Sequence, residues 1–145
     1  MSASPEQVER SFHKLPKIFA RLTGRNGAVI EYEALVVPTS EFCVLPTVDA
    51  YGLGYPEVAV SDARIPTPNS RMFATYTGYG RGTPIRMARV DIGGISLKDV
   101  EFLAFDLQQT LGVDVLLGLS LLRNLSVHLD FAGGTIRLER EGDSP

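Results

Sequence analysis

Alternating apolar and polar positions predict two strands and a tight turn in the first quarter of the chain. Ile18, Ala20 and Leu22 share one face of the first run, and Ala28, Ile30, Tyr32 and Ala34 share one face of the second. Gly24-Arg25-Asn26-Gly27 separates the two runs, and Asn-Gly between such runs is typical of a β-hairpin. The pattern therefore predicts a hairpin formed by residues 18–23 and 28–37.

The hairpin leads into the segment EALVVPTSEFCVLP, residues 33–46. Ala34 to Val37 form a continuous apolar run that indicates a buried strand, and Pro38 breaks it. Phe42, Val44 and Leu45 then resume an apolar pattern. We call residues 37–42 the elbow. Rigid strands on both sides of a short polar loop can hold loop side chains in place for chemistry, yet the only carboxylate in this loop is Glu41.

The remaining pattern is one of short strands punctuated by turns. Met1 to Arg10 is polar and indicates a loose tail or one helical turn that begins near Pro5. The predicted elements after the elbow are a turn or short helix at 48–51, a strand near 58–60, a hairpin over 71–91 with a glycine-rich turn at 78–82, a Gly93-Gly94 turn, strands at 95–97 and 100–105, a strand, glycine and short helix over 113–122, and a closing hairpin of 125–129 with 135–138.

Short strands with turn signals at this spacing favour an all-β sandwich or barrel with one short helix. The chain has 145 residues, which is enough for one domain with a core of its own. We expect a domain at residues 17–140 between an N-terminal tail, 1–16, and a C-terminal tail, 141–145.

Composition adds few constraints on function. The chain is 44% hydrophobic and 21% charged with a formal net charge of -3, so bulk charge indicates no class of partner. Its single cysteine, Cys43, cannot form an internal disulfide, and the N-terminal residues lack the apolar segment of a signal peptide. No apolar run reaches the ~20 residues of a membrane helix. We expect a cytoplasmic protein without a membrane partner.

The order of these elements resembles the retropepsin-like aspartic proteases. The resemblance rests on ALV at 34–36 with VLP at 44–46, on LLG at 116–118 with an apolar helix behind it, and on the glycine-rich hairpin between them. It implies a closed β-barrel with one short C-terminal helix, a flap formed by the hairpin, and a homodimer of half-size subunits. In that family an Asp-Thr-Gly loop follows the Ala-Leu-Val strand.

The chain departs from the family at the position of the catalytic aspartate. Spacing from both flanks places that aspartate at Val37, the family threonine at Pro38 and the family glycine at Thr39. Sliding the register by one residue aligns Thr39 with the threonine, but Pro38 then replaces the acid and both flanks lose their spacing. Neither alignment supplies an aspartate.

The missing acid bears directly on catalysis. Two neighbouring carboxylates share one proton, so one can activate water while the other protonates the peptide carbonyl. Valine can do neither, and general acid-base groups contribute about 10²–10⁴-fold each. The resemblance therefore implies the fold of a protease without its reaction, and we favour a protein that is not an enzyme. If it is one, we expect a peptidase related to this family.

Other chemistry has weak support in the sequence. Ser40 or Cys43 could pair with His13 or His128, but no spacing indicates an orienting group or an oxyanion hole. Asp49, Asp62 and Asp106 are isolated acids near turns, which are usually solvated or capping, and Asp114 is expected to be structural. One cysteine and two distant histidines make no zinc-type cluster, and no phosphate-binding glycine motif occurs, so we expect no cofactor or metal.

One charge pattern stands out in the 71–91 hairpin and the residues before it. Five arginines and no acid lie between Ala63 and Val90, namely Arg64, Arg71, Arg81, Arg86 and Arg89. Five of the 14 basic residues are thus concentrated there, which leaves 9 against all 17 acids elsewhere. With Tyr76 and Tyr79, this basic hairpin could hold an acidic peptide or a nucleic-acid strand. We prefer the simpler interpretation of a solvated hairpin, or one that contacts a second subunit, and expect no nucleic-acid partner.

The leading hypothesis is a non-catalytic, dimeric retropepsin-like domain that binds an extended peptide or protein in the former substrate cleft. The alternatives are a hydrolase with a non-standard site, for example one that uses Glu41, and a structural or assembly module with a basic flap. The predicted cleft and flap residues are Ser40, Glu41, Tyr76, Thr77, Gly78, Tyr79, Gly80, Arg81 and Arg86.

Overall fold

A computed structural model describes residues 6–58, 71–75, 78–107 and 112–140. These residues form ten strands and two short helices, so the chain is mostly β as the sequence predicts. In chain order they are β1 Glu6–Ser11, β2 Lys17–Thr23, β3 Val29–Val36, β4 Cys43–Leu45, α1 Thr47–Gly52, β5 Arg71–Thr75, β6 Gly78–Ile92, β7 Ile95–Ala104, β8 Leu116–Leu117, α2 Leu119–Leu122, β9 Ser126–Asp130 and β10 Thr135–Arg140.

The strands of the described residues pair in two sheets. One has the order β1-β10-β9, and the other has the order β2-β3-β8-β4-β7-β6-β5. In the larger sheet β2 pairs with β6 as well as with β3. Because β8 pairs parallel with β3 and antiparallel with β4, the two strands that flank the elbow lie on either side of β8.

The predicted first hairpin is confirmed. Strands β2 and β3 pair antiparallel from Lys17↔Leu35 to Thr23↔Val29. Asn26 Oδ1 accepts a hydrogen bond from the Ala28 amide at 2.9 Å, and Gly27 has a φ of +85°, a conformation that glycine adopts without steric cost. The Asn-Gly signal in the sequence thus corresponds to the turn.

The main core is formed by buried residues of both sheets. Ile18, Ala20 and Leu22 of β2 are buried, and the intervening Phe19 and Arg21 are exposed. Ile136 and Leu138 of β10 belong to the same apolar cluster, which attaches the three-stranded sheet to the rest of the molecule. Burying such aliphatic side chains stabilises the fold by about 1.5–3 kcal/mol each.

The structure corrects the interpretation of the N-terminal residues. Residues 6–11 are neither a loose tail nor a helical turn, because they form β1 and pair with β10 from Glu6↔Arg140 to Ser11↔Thr135. The sequence obscures this strand since Val8 is its one apolar residue, and Val8 packs against the core. Residues 1–5 lie outside the described part.

The hairpin at 71–91 forms, but its predicted turn is wrong. Gly78 to Gly82 belong to β6 and pair with β5 from Thr75↔Gly78 to Arg71↔Gly82. Tyr76 and Thr77, between the two strands in sequence, lie outside the described residues, as do residues 59–60 of the strand predicted near 58–60. Glycine favours turns locally, but the pairing with β5 determines the structure of this segment.

The C-terminal third follows the sequence pattern closely. Gly93 and Gly94 connect β6 to β7, and the two predicted strands at 95–97 and 100–105 form the single strand β7. Strand β8 is followed by Gly118 and the four-residue helix α2. Strands β9 and β10 form the closing hairpin with Thr135↔Asp130 nearest its turn. The predicted turn or short helix at 48–51 lies within α1.

Candidate functional site

Backbone hydrogen bonds fix both ends of the elbow. The Val37 amide donates to Leu117 O at 2.9 Å, which continues the pairing of β3 with β8 by one residue. The Ser40 amide then donates to Val37 O at 3.0 Å and closes the turn around Pro38. Pro38 has no amide hydrogen to satisfy, so its exposed position in this turn costs no hydrogen bond. The elbow is therefore an ordered loop.

Helix α2 holds the second half of the elbow. The Leu119 amide donates to Ser40 O at 2.8 Å, and the Ser120 amide donates to Glu41 O at 3.0 Å. The first amides of a helix lack partners within the helix, and here the carbonyls of the elbow accept their hydrogen bonds. The loop and the helix thus stabilise each other.

Gly118 makes this close approach sterically feasible. A β-carbon on Gly118 would lie 2.3 Å from Phe42 O and 2.5 Å from Ser40 O. Both atoms belong to the backbone of the elbow, so a larger residue would force the loop away from α2. The packing of the elbow against α2 therefore requires the glycine of the LLG motif, independently of any reaction.

Val37 lies against a small apolar cluster beside the elbow. The cluster consists of buried residues on β3, β4 and β8, after β7 and before β8, and Val37 and Phe105 pack on it while remaining partly exposed. Its buried members are Leu35, Val44, Leu107, Val113 and Leu116. At the position where the resemblance implies an aspartate, the molecule thus presents an aliphatic side chain on an apolar surface.

The other predicted elbow residues are exposed or hydrogen-bonded within the loop. Ser40 is half-buried, and its hydroxyl donates to Phe42 O at 2.7 Å within the loop. Pro38, Thr39 and Glu41 are exposed. His128 is exposed on β9, and its Nε2 lies 3.8 Å from Glu139 Oε2. Among the described residues, the hydrogen-bond partners of Ser40 and Cys43 include no imidazole.

Cys43 lies in the core of the molecule. It is fully buried, its Sγ accepts a hydrogen bond from the Gly118 amide at 3.3 Å, and Ser120 Oγ lies 3.4 Å from it. Burial raises the pKa of the thiol from 9.0 to about 11, and the hydrogen bond with Ser120 and the contact with Gly118 lower it by less. Cys43 is therefore a protonated thiol at neutral pH and a poor nucleophile.

Ser120 is the residue that sequence reasoning missed. Its hydroxyl accepts a hydrogen bond from the Cys43 amide at 3.0 Å and donates one to Glu101 O at 2.6 Å. It thereby joins β4, β7 and α2 behind the elbow. The sequence does contain a signal for it, namely a single hydroxyl inside the apolar run VLLGLSLL. A polar side chain among buried apolar ones needs hydrogen-bond partners.

Two of the isolated acids lie beside α1. Asp106 accepts hydrogen bonds from the amide and the hydroxyl of Thr47, at 3.0 Å each to its two carboxylate oxygens, so its capping role is confirmed. Burial raises the pKa of Asp49, and the neighbouring carboxylates of Asp114 and Asp106 raise it further. Asp62 lies outside the described residues. These contacts explain the acids without assigning them a reaction.

The basic hairpin is less available for ligands than its composition indicates. Arg86 Nη1 donates to Asp99 O at 3.3 Å, and its Nη2 lies 3.9 Å from Glu101 Oε2. Arg89 Nε lies 2.9 Å from Asp91 Oδ2. Arg81 is exposed. The backbones of Gly78, Tyr79 and Gly80 pair with β5. The structure therefore engages two of the arginines with the chain's own oxygen atoms.

The described residues contain no group of three or more histidine, cysteine, aspartate or glutamate side chains positioned to hold a metal ion. Within the same part of the chain, no helix has the length and apolar character needed to cross a membrane.

The solved structure of a retropepsin-like aspartic protease from Rickettsia conorii resembles this chain with a TM-score of 0.60 over 99% of both chains. This chain has a retropepsin-like fold. The two sequences are 21% identical, a level at which the likeness shows the fold alone. No protein-family model matches the chain, and no curated protein matches it in sequence. The retropepsin-like fold places the elbow, with Val37 at its start, beside α2 and the small apolar cluster.

Proposed function

We propose that this chain is a non-catalytic retropepsin-like domain that binds an extended peptide or protein segment at the elbow and flap. The observation that carries the proposal is Val37, which packs on the apolar cluster of Leu35 and Val44 at the position where the family has its acid. An aliphatic side chain there supplies contact area and no acid-base chemistry. The closed barrel and the homodimer are parts of the same proposal.

Strand addition is the binding mode that the sheet order supports. Strand β5 ends the larger sheet, and among the described residues β6 is its one partner strand. An extended peptide could pair with this edge through backbone hydrogen bonds, while its side chains contact the elbow. Such binding requires no particular charge on the ligand, in line with the internal contacts of Arg86 and Arg89.

The pairing of β2 with both β3 and β6 supports the closed barrel. The homodimer is supported by the retropepsin-like fold, because two such half-size domains form one cleft between two elbows. Size-exclusion chromatography with light scattering measures the mass of the particle directly. A monomer at every accessible concentration would contradict the shared cleft but leave binding to one domain intact.

The test of the non-catalytic role is incubation with an unfolded, reduced and alkylated protein from pH 3 to 8. We expect no cleavage by the natural chain at any pH. Glu41→Gln is the matched variant, because Glu41 is the acid of the elbow and is exposed. Cleavage by the natural chain that the Glu41→Gln variant lacks would overturn the proposal and establish the hydrolase alternative.

The test of peptide binding is selection of decapeptides from a random library followed by titration of the selected peptides. Val37→Lys places a charge on the apolar surface of the elbow and should weaken binding by about tenfold or more. Val29→Lys is the control, because Val29 is half exposed on β3 and outside the small apolar cluster. Equal affinities of the two variants and the natural chain would contradict binding at the elbow.

A further inference from the structure

A second cleft, with a volume of about 420 Å³, lies at the C-terminal end of α2, whereas the elbow contacts the N-terminal end. Its walls come from β7, the turn after α2, the start of β9 and the end of β10. Leu97 and Leu125 supply apolar wall area, and Arg123, Ser126 and Arg140 supply polar groups. We call it the α2–β10 cleft. Its volume is within the range of small-ligand sites, roughly 300–1,000 Å³.

Two arginines and one acid line the cleft. Arg123 and Arg140 both line it, and the acid in its wall is Glu139. Glu139 Oε1 lies 2.9 Å from Arg137 Nε, so its charge is already compensated by an arginine next to it in β10. That contact is an ion pair without an aligned hydrogen bond, because Arg137 Nε has no hydrogen-bond partner. The one acid in the lining is thus paired with a third arginine that is not part of the lining.

The two arginines differ in how they are held. Arg140 Nη1 donates to Ser96 O, which fixes its guanidinium at the wall of the cleft. Arg123 is exposed at the end of α2, and no carboxylate in the described part of the chain lies within ion-pair distance of it. A positioned guanidinium next to one with open donors is an arrangement that suits an oxygen anion.

We propose that the α2–β10 cleft binds the oxyanion of a peptide side chain, either a carboxylate or a phosphate. Arg123 supplies the main charged donors, Arg140 adds a second positive charge, and the exposed Ser126 hydroxyl supplies a further donor. Leu97 and Leu125 contact the aliphatic part of the side chain that carries the anion. A carboxylate and a phosphate each present a pair of oxygen atoms that can accept two parallel hydrogen bonds from a guanidinium group.

This site is separate from the elbow. The first amides of α2 bind the carbonyls of Ser40 and Glu41, whereas Arg123 is at the opposite end of the helix. Binding in the α2–β10 cleft does not require an intact elbow, and loss of peptide binding at the elbow leaves it unaffected. The two proposals therefore fail independently.

The test uses three pentapeptides with blocked ends that carry Glu, phosphoserine or Ser at the centre of four alanines. Each is titrated into the full-length, ¹⁵N-labelled protein while the amide signals are followed by NMR. We expect saturable shifts of residues 123–126 and 139–140 with the Glu or phosphoserine peptide and none with the Ser peptide. The tighter of the two anionic peptides identifies the source of the oxyanion.

Arg123→Gln should weaken the anionic peptide by about tenfold or more, since hydrogen bonds to charged groups are the strong ones. Arg21→Gln is the matched control, because Arg21 is an exposed arginine on β2 that pairs with Glu31 at 2.8 Å, outside the cleft. Ser126→Ala provides a second, uncharged perturbation and should weaken binding by a smaller factor.

Two results would overturn the proposal. One is the absence of saturable shifts at residues 123–126 and 139–140 with both anionic peptides up to about 10 mM, beyond the millimolar range of weak binding. The other is an equal loss of affinity in the Arg123→Gln and Arg21→Gln variants, which would mean that only the net charge of the protein matters.

Discussion

The Cys43 amide donates a hydrogen bond to Ser120 Oγ at 3.0 Å, and the same hydroxyl donates to Glu101 O at 2.6 Å. This relationship joins the strand after the elbow to the helix that holds the elbow. Ser120 Oγ is thus a branch point between β4, β7 and α2. Its two partners are main-chain groups of β4 and β7.

Ser120→Ala should therefore lower the free energy of unfolding by about 1–3 kcal/mol, the cost of buried polar groups without partners. Urea unfolding monitored by circular dichroism measures this change. Ser126→Ala is the control, because Ser126 is exposed, and it should change stability by less than about 0.5 kcal/mol. Equal stability of the two variants would show that the Ser120 hydroxyl does not join the three elements.

Gly118→Ala should destabilise the elbow severely. The new methyl group would lie 2.3 Å from Phe42 O, so the loop must move and lose the hydrogen bonds from α2. We expect a loss of at least about 3 kcal/mol, or no folded protein. Gly52→Ala is the matched control in α1, where a β-carbon meets nothing within 4 Å, and it should be neutral or stabilising. A folded Gly118→Ala variant as stable as Gly52→Ala would be incompatible with the close approach.

Cys43 should react slowly with thiol reagents in the folded protein. Its thiol is fully buried and its pKa is raised from 9.0 to about 11, so the reactive thiolate is scarce at pH 8. Labelling with an aromatic disulfide reagent should accelerate strongly in urea, where the thiol is exposed. Fast stoichiometric labelling without urea would restore Cys43 as a candidate nucleophile.

The same pKa shift predicts a loss of stability at high pH. The folded state favours the protonated thiol, so this contribution is fully present below pH 9 and is lost as the pH rises through about 11. Over that pH range, the free energy of unfolding of the natural chain should fall relative to that of the Cys43→Ala variant. A difference that is constant from pH 8 to 11 would contradict the shift.

Restoring the acid by Val37→Asp should lower stability at neutral pH by about 1–3 kcal/mol. The carboxylate would lie against Leu35 and Val44 in place of an aliphatic side chain, and burying a charge without a partner is costly. The loss should be smaller near pH 3, where the new side chain is protonated. Val29→Asp, on the exposed part of β3, should show neither the loss nor its pH dependence. Thermal unfolding at pH 3 and pH 7 compares the two.

The local pattern of the sequence predicts the hairpins but not all of their turns. The Asn26-Gly27 turn is encoded locally, because an Asn side chain caps it and the glycine adopts a positive φ. The glycines at 78–82 carry a similar local signal, yet they lie in β6. The register between β5 and β6 depends on pairing over both strands, and three glycines cannot determine it.

The sequence alone predicts that Val37 lies at the end of a buried strand, because the apolar run that indicates this strand is a local pattern. The sequence also determines that Cys43 has apolar neighbours on both sides and that the chain is mostly β. It does not reveal that the helix after Gly118 binds the carbonyls of Ser40 and Glu41. Those contacts join residues about 80 positions apart, and periodicity carries no information at that separation.

The tertiary structure alone decides three features, each through contacts between distant segments. Residues 6–11 become β1 because β10 offers backbone partners to a polar segment. The half-buried Ser120 joins three elements because β4 and β7 direct main-chain groups toward it. The α2–β10 cleft gathers Leu97, Arg123 and Arg140 from separate elements. Sequence patterns determine which faces of strands are buried, whereas long-range pairing determines which polar groups meet.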